Sequence, residues 1–126
     1  MREVTRHQVN ECNRQIEVKA HSPGSGGAAV RYDIMGPKKN IAGIGPVPSF
    51  GENLKFQDGP IADGVNGITH EVLLAIIEDR LIGFQSGPFA CEKNERALQH
   101  IRACQEELKS RTDERISRGV EGTHTV

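Results

Sequence analysis

Residues 94–118, NERALQHIRACQEELKSRTDERISR, decide the fold. Their apolar side chains Ala97, Leu98, Ile101, Cys104, Leu108 and Ile116 recur at three- and four-residue steps, the pattern of a helix with one buried stripe. Cys104 falls on that stripe and reads as a small buried thiol without reactivity. Arg111, Arg115 and Arg118 stand at i, i+4 and i+7, so their guanidinium groups share one face of the last two turns, where the helix dipole favours cations. Glu107 is spaced to pair with Arg111, and Glu114 with Arg118. Arg115 has no such acid: Arg111 and Thr112 precede it by four and three residues, and Arg118 and Gly119 follow by three and four. A like charge one turn away costs stability unless an anion sits between the two, which leaves two readings of Arg115 open, a phosphate clamp and a socket for a partner's carboxylate.

Working back from this helix, residues 86–88 (Ser-Gly-Pro) break an earlier one. Thr69 is its expected N-cap, with Glu71 in the first turn and Val72, Leu73, Ile76, Ile77, Leu81 and Phe84 as its apolar stripe, ending near Gln85. The second helix then runs from about residue 90 to 118, with Gly119 as C-cap. Upstream, residues 13–20 (NRQIEVKA) and 29–35 (AVRYDIM) alternate polar and apolar, as half-buried strands do, and 54–57 (LKFQ) can form a third. Residues 21–28 (HSPGSGGA) suit the connection of a hairpin; a glycine-rich anion cradle is the other reading, weakened because a strand follows and no Gly-Lys-Ser/Thr closes the loop. Residues 36–53 hold four glycines and three prolines without periodicity and are expected to form a loop or a partly ordered arm. Residues 58–67 (DGPIADGVNG) are turn-rich. The expected fold is α+β: one domain, 1–126, with a small antiparallel sheet over 13–57, a long helical hairpin over 69–118 and a tail over 119–126.

Composition narrows the function. A chain of 126 residues with 36% apolar and 4% aromatic content builds a thin core, which predicts an obligate oligomer. A net charge of −1 excludes gripping nucleic acid by bulk electrostatics, so anion binding would fall to the local arginine cluster. Cys12, Cys91 and Cys104 are odd in number and lack CxxC spacing, and neither a signal peptide nor a long apolar run is present, which predicts a cytosolic protein with free thiols and no membrane contact. His7, His21, His70, His100 and His124 give no pair at metal-ligand spacing, and no nucleophile–base order is recognisable, so neither a metal nor a catalytic site is expected.

Residues 56–98, FQDGPIADGVNGITHEVLLAIIEDRLIGFQSGPFACEKNERAL, and 111–124, RTDERISRGVEGTH, resemble the phage Thoeris anti-defence sponges, the first family so named, which share a helical hairpin with the anti-CBASS sponges. PGSGGAAVRYDI, residues 23–34, is similar to that family's opening hairpin. The resemblance implies a non-catalytic viral protein, acting in the bacterial host cytoplasm, that sequesters glycocyclic ADP-ribose uncleaved, without a cofactor. It further implies dimers, in some members hexamers that also hold cyclic trinucleotides. Carried over by position, Phe84 would stack on the adenine, Asn94 would hydrogen-bond the ligand, and Arg111 and Arg115 would hold its pyrophosphate. Thr112, Arg118 and Asn66 of the DGVNG loop complete the candidate set. The 17 positions from Asn94 to Arg111 span roughly 25 Å of helix, more than one small nucleotide bridges, so a site using both requires two antiparallel chains. Two rival readings stand beside it, a nucleic-acid-binding phage regulator, which calls for a wider basic face, and an enzyme that degrades the signal.

Overall fold

The computed structural model describes residues 1–126, which form two compact units, Met1–Gly59 with Val65–Gly67, and Pro60–Gly64 with Ile68–Val126. The order is the expected one, an antiparallel sheet followed by two helices.

In the first unit, strands β1 (Arg2–Val4), β2 (Glu17–Ala20) and β3 (Arg31–Met35) pair in that order. The hairpin β4 (Lys38–Ile41) and β5 (Gly45–Pro48) stands apart as a two-stranded ribbon, and β6 (Gly51–Lys55) returns to pair with β3. The register places Ala20 opposite Tyr32 and Tyr32 opposite Leu54. Ala20 is wholly buried, and the Tyr32 ring meets Phe56 edge to face at 5.7 Å, so the core here is one small residue and one aromatic pair. Residues 21–29 do form the hairpin connection, with the amide of Gly24 donating to Ala28 O, that of Gly27 to Gly24 O, and Gly27 at φ 89° where a side chain would be strained.

Three expectations give way. Residues 13–20 are not one strand: the Asn10 side chain accepts the Asn13 amide and caps a short helix α1 (Glu11–Arg14), so the strand is confined to β2. Residues 36–53 are not a loop, because Gly43 at φ 81° and the Ile44 N–H to Ile41 O bond reverse the chain and let β4 pair with β5. Pro46 and Pro48 are tolerated there because both strands of a two-stranded ribbon are edges. The strand expected at 54–57 begins earlier, at Gly51, and ends at Lys55.

In the second unit, α2 (His70–Gln85) starts at Thr69, whose side chain accepts the Val72 amide, and α3 (Glu92–Ser117) starts at Cys91, whose sulfur accepts the Asn94 amide. Gln85 meets Glu95 while Glu78 meets Arg102, so the two helices run antiparallel. Besides Ala97, cover on α3 falls on Asn94, Leu98, Ile101, Gln105, Leu108, Thr112 and Arg115, alternating steps of four and three, the 3.5-residue period of a coiled-coil seam. Leu98, 3% exposed, is its most buried member. Cys104 and Ile116, expected on the stripe, lie off this row and are exposed.

On α2 the row towards α3 is Leu74, Glu78, Leu81 and Gln85. Val72, Ile76, Ile77 and Phe84, expected to be the buried stripe, are exposed instead. A helix apolar nearly all round has no preferred face, and the polar partners Gln105 and Arg102 on α3 draw Glu78 inward. What the hairpin leaves outward is therefore an apolar surface along α2.

Candidate functional site

The candidate residues fall into two groups at opposite ends of α3, and Asn66 into neither. At the hairpin turn, the Phe84 and Phe89 rings meet edge to face at 6.2 Å, and the Arg80 guanidinium carbon lies 5.7 Å from the Phe84 centroid. Phe84 is 41% and Phe89 71% exposed, so a flat ring system can reach both. Asn94 donates through Nδ2 to Phe89 O at 3.4 Å, which ties it to the same cluster. Gln85 fixes the turn, accepting the Cys91 amide at 3.0 Å through Oε1 and donating to Cys91 O at 3.1 Å through Nε2. Phe89 was not among the sequence candidates. Its signal is an aromatic side chain inside a Gly-Pro break, where no helix stripe accounts for it.

At the other end of α3, the three arginines have three different environments. Arg118 pairs with Glu114 at 3.3 Å, as spaced, and also donates to Val126 O. Arg111 is exposed and makes no ion pair or hydrogen bond, with Glu107 or any other group, so its whole guanidinium is available. Arg115 is 7% exposed and fully engaged. Its Nε lies 3.4 Å from Glu121 Oε2, Nη1 donates to Thr125 O, and Nη2 donates to Val120 O at 2.9 Å and Thr123 O at 3.0 Å. The acid that α3 lacks is thus supplied by the tail.

The tail arrives there because α3 ends in a Schellman motif. Gly119 adopts φ 72°, its amide donates to Ile116 O, and the Val120 amide donates to Arg115 O. That turn sends residues 120–126 back across Arg115, and the Ile61 amide donates to Gly122 O at 2.8 Å. Thr112 is half-buried on the α3 row between Leu108 and Arg115.

Asn66 belongs to the sheet-bearing unit and is spent within it. Its Oδ1 accepts the Asp58 amide at 2.8 Å, its Nδ2 donates to Asp58 O, and its own amide donates to Gln57 Oε1. It pins the turn-rich loop.

No group of three or more His, Cys, Asp or Glu side chains is placed to hold a metal ion, and no helix is long and apolar enough to cross a membrane. The chemistry on offer is recognition: exposed aromatic rings and an amide at one end of the hairpin, and an unpartnered guanidinium beside an occupied one at the other.

Residues 52–112 match the family described as Acb2/Tad1, hairpin domain. The chain is also 42% identical over 72 residues to Thoeris anti-defense 1 of Bacillus phage SBSphiJ7. That alignment covers 56% of this chain and 51% of the phage protein, so the chain spans about half the length of the curated relative it matches.

Proposed function

We propose, from the match of residues 52–112 to the Acb2/Tad1 hairpin domain and the likeness to the phage relative, that the chain is a phage anti-Thoeris protein that acts in the host cell by binding a cyclic nucleotide immune signal and withholding it uncleaved. Glycocyclic ADP-ribose is the proposed ligand. The observation that carries the reading is the extent of the family match, which includes Phe84, Asn94 and Arg111, the aromatic and amide group at one end of the hairpin and the free guanidinium at the other. An adenine ring suits Phe84 and Phe89, and a pyrophosphate suits Arg111, whose planar fork binds phosphate oxygens two at a time.

Because roughly 25 Å of helix separates Asn94 from Arg111, both groups reach one ligand only if two chains contribute opposite ends. The outward apolar surface of α2, with Ile76 51% exposed, supports a second copy as its cover. An isologous dimer then carries two equivalent pockets. Cyclic trinucleotides are a second candidate ligand class, and a hexamer a further assembly.

Calorimetric titration with glycocyclic ADP-ribose tests the reading. Saturable binding, with intact ligand recovered after heating the complex, is expected. Absence of binding, or recovery of cleavage products, overturns it.

A further inference from the structure

We propose that residues 120–126 act as an internal pseudo-ligand, occupying Arg115 with oxygens that stand where a ligand's phosphate oxygens would, so that nucleotide binding and tail release are coupled. The inference rests on the reading of Arg111 and Arg115 as the anion-binding end of the pocket.

A guanidinium has five N–H donors, and it binds phosphate by presenting two of them in one plane. Here the tail engages Nε, Nη1 and Nη2 through Glu121, Thr125 O, Val120 O and Thr123 O. Burial to 7% exposure leaves no edge of Arg115 open to a second anion. The Glu121 carboxylate beside it neutralises the charge that would attract one and repels an approaching phosphate. Arg111, one turn earlier, is exposed and unpaired. The two arginines assigned to one pyrophosphate thus differ completely in availability: Arg115 closes the covered row of α3 and every hydrogen bond and ion pair its guanidinium makes is to the tail, while Arg111 lies off that row.

The tail is also built to move as a unit. Apart from its bonds to Arg115, it is held by the Schellman turn at Gly119, by Arg118 to Val126 O and at Gly122, whose carbonyl accepts the Ile61 amide and against which the Ile61 side chain lies. Gly119 just before the segment and Gly122 within it have φ of 72° and 78°, and the side chains of Val120, Thr123, Thr125 and Val126 make no buried cluster. Its closed state depends on Arg115, the group a phosphate would claim. A ligand that takes Arg115 removes the main hold on the tail, and a closed tail lowers affinity for the ligand, as linkage requires.

The test is a paired titration of the full chain and of a chain ending at Gly119 with glycocyclic ADP-ribose, alongside amide hydrogen exchange of residues 120–126 in the full chain. The shortened chain should bind about five- to a hundredfold more tightly, the usual range of such coupling, and the tail amides of the full chain should lose protection in step with saturation. Glu121→Gln, which keeps every residue in place, should shift affinity in the same direction by a smaller factor and guards against a truncation that fails to fold. Equal or weaker binding by both altered chains, or saturation of the full chain with the tail still protected, overturns the coupling and leaves the pocket standing. Binding by none of the three chains removes the pocket and the coupling together.

Discussion

Arg102 and Glu78 face each other across the middle of the hairpin, Nε to Oε2 at 3.1 Å, and the second carboxylate oxygen of Glu78 accepts the Gln105 amide at 3.3 Å. Apolar Leu74 and Leu81 flank Glu78 along α2, and Leu98 and Ile101 precede Arg102 and Gln105 along α3. A polar contact flanked by leucines therefore sits at mid-hairpin and, with the Gln85–Glu95 contact near the turn, fixes which turn of α2 meets which turn of α3.

That carboxylate has a defined pH signature. The hydrogen bond from Gln105, and then that from Arg102, hold its pKa below the ordinary value of 4.5. The folded pKa lies below the unfolded one, so its contribution to stability is complete above the usual glutamate range and is lost as pH falls through the folded value. Glu78→Gln should therefore melt less dependently on pH below about 4.5 than the parent does, with the two curves running parallel at neutral pH. Thermal unfolding followed by circular dichroism across that range checks this, and superimposable slopes in acid would count against it.

Arg115→Ala should release the tail. It removes charge-assisted hydrogen bonds to three carbonyls and an ion pair to Glu121, each such bond contributing about 1.5–3 kcal/mol where a charged group is involved. Arg115→Lys should not restore the closure, because an ammonium lacks the planar fork that reaches several oxygens at once. Hydrogen exchange confined to residues 119–126, with α3 amides unchanged, is the expected result in both variants.

Ile76→Glu should convert an assembled protein into a monomer. Ile76 lies in the outward apolar surface of α2 with Val72, Ile77 and Phe84, and a carboxylate there would be desolvated without a partner if a second copy covered it. Light scattering should give at least twice the 13.8 kDa chain mass for the parent and a single chain mass for the variant. A parent that is monomeric at micromolar concentration removes the dimer.

Asn94→Ala and Arg111→Ala chains, each expected to bind poorly alone, should complement when refolded together. Statistical mixing makes half the dimers mixed, and each of these has one pocket with both defects and one with neither, so about a quarter of all pockets should recover full affinity. Calorimetric stoichiometry reads this directly. Recovery near zero would place all the binding groups within one chain.

The helices were legible in the sequence because their ends are written in local chemistry. Thr69, the Gly-Pro break and Gly119 each act within a few residues of themselves, and each does in the structure what its residue type predicts. Which face turns inward was less legible. On α2 the apolar residues surround the helix, so a choice among them required knowing that Gln105 and Arg102 wait on α3 for Glu78. The β4–β5 ribbon was hidden because its prolines argue against a strand unless both strands are edges, which only the fold reveals. Arg115 is the sharpest instance. Counting acids along the helix is correct as far as it goes, but Glu121 lies beyond a turn set by Gly119, and no helical spacing rule looks round that corner.

The seam on α3 has one more consequence. Its row begins at Asn94 and closes at Arg115, so the same 3.5-residue rhythm that seats Leu98, Ile101 and Leu108 also sets the angular phase between the two ends. The helix is in this sense a ruler with graduations of seven. Removing one whole graduation would draw the ends together by about 10 Å and keep them in phase, whereas adding a single residue would swing one end by about 100° against the other. Length and facing are thereby locked to one another, and a hairpin built on this seam can vary the gap between its two ends only in whole strides.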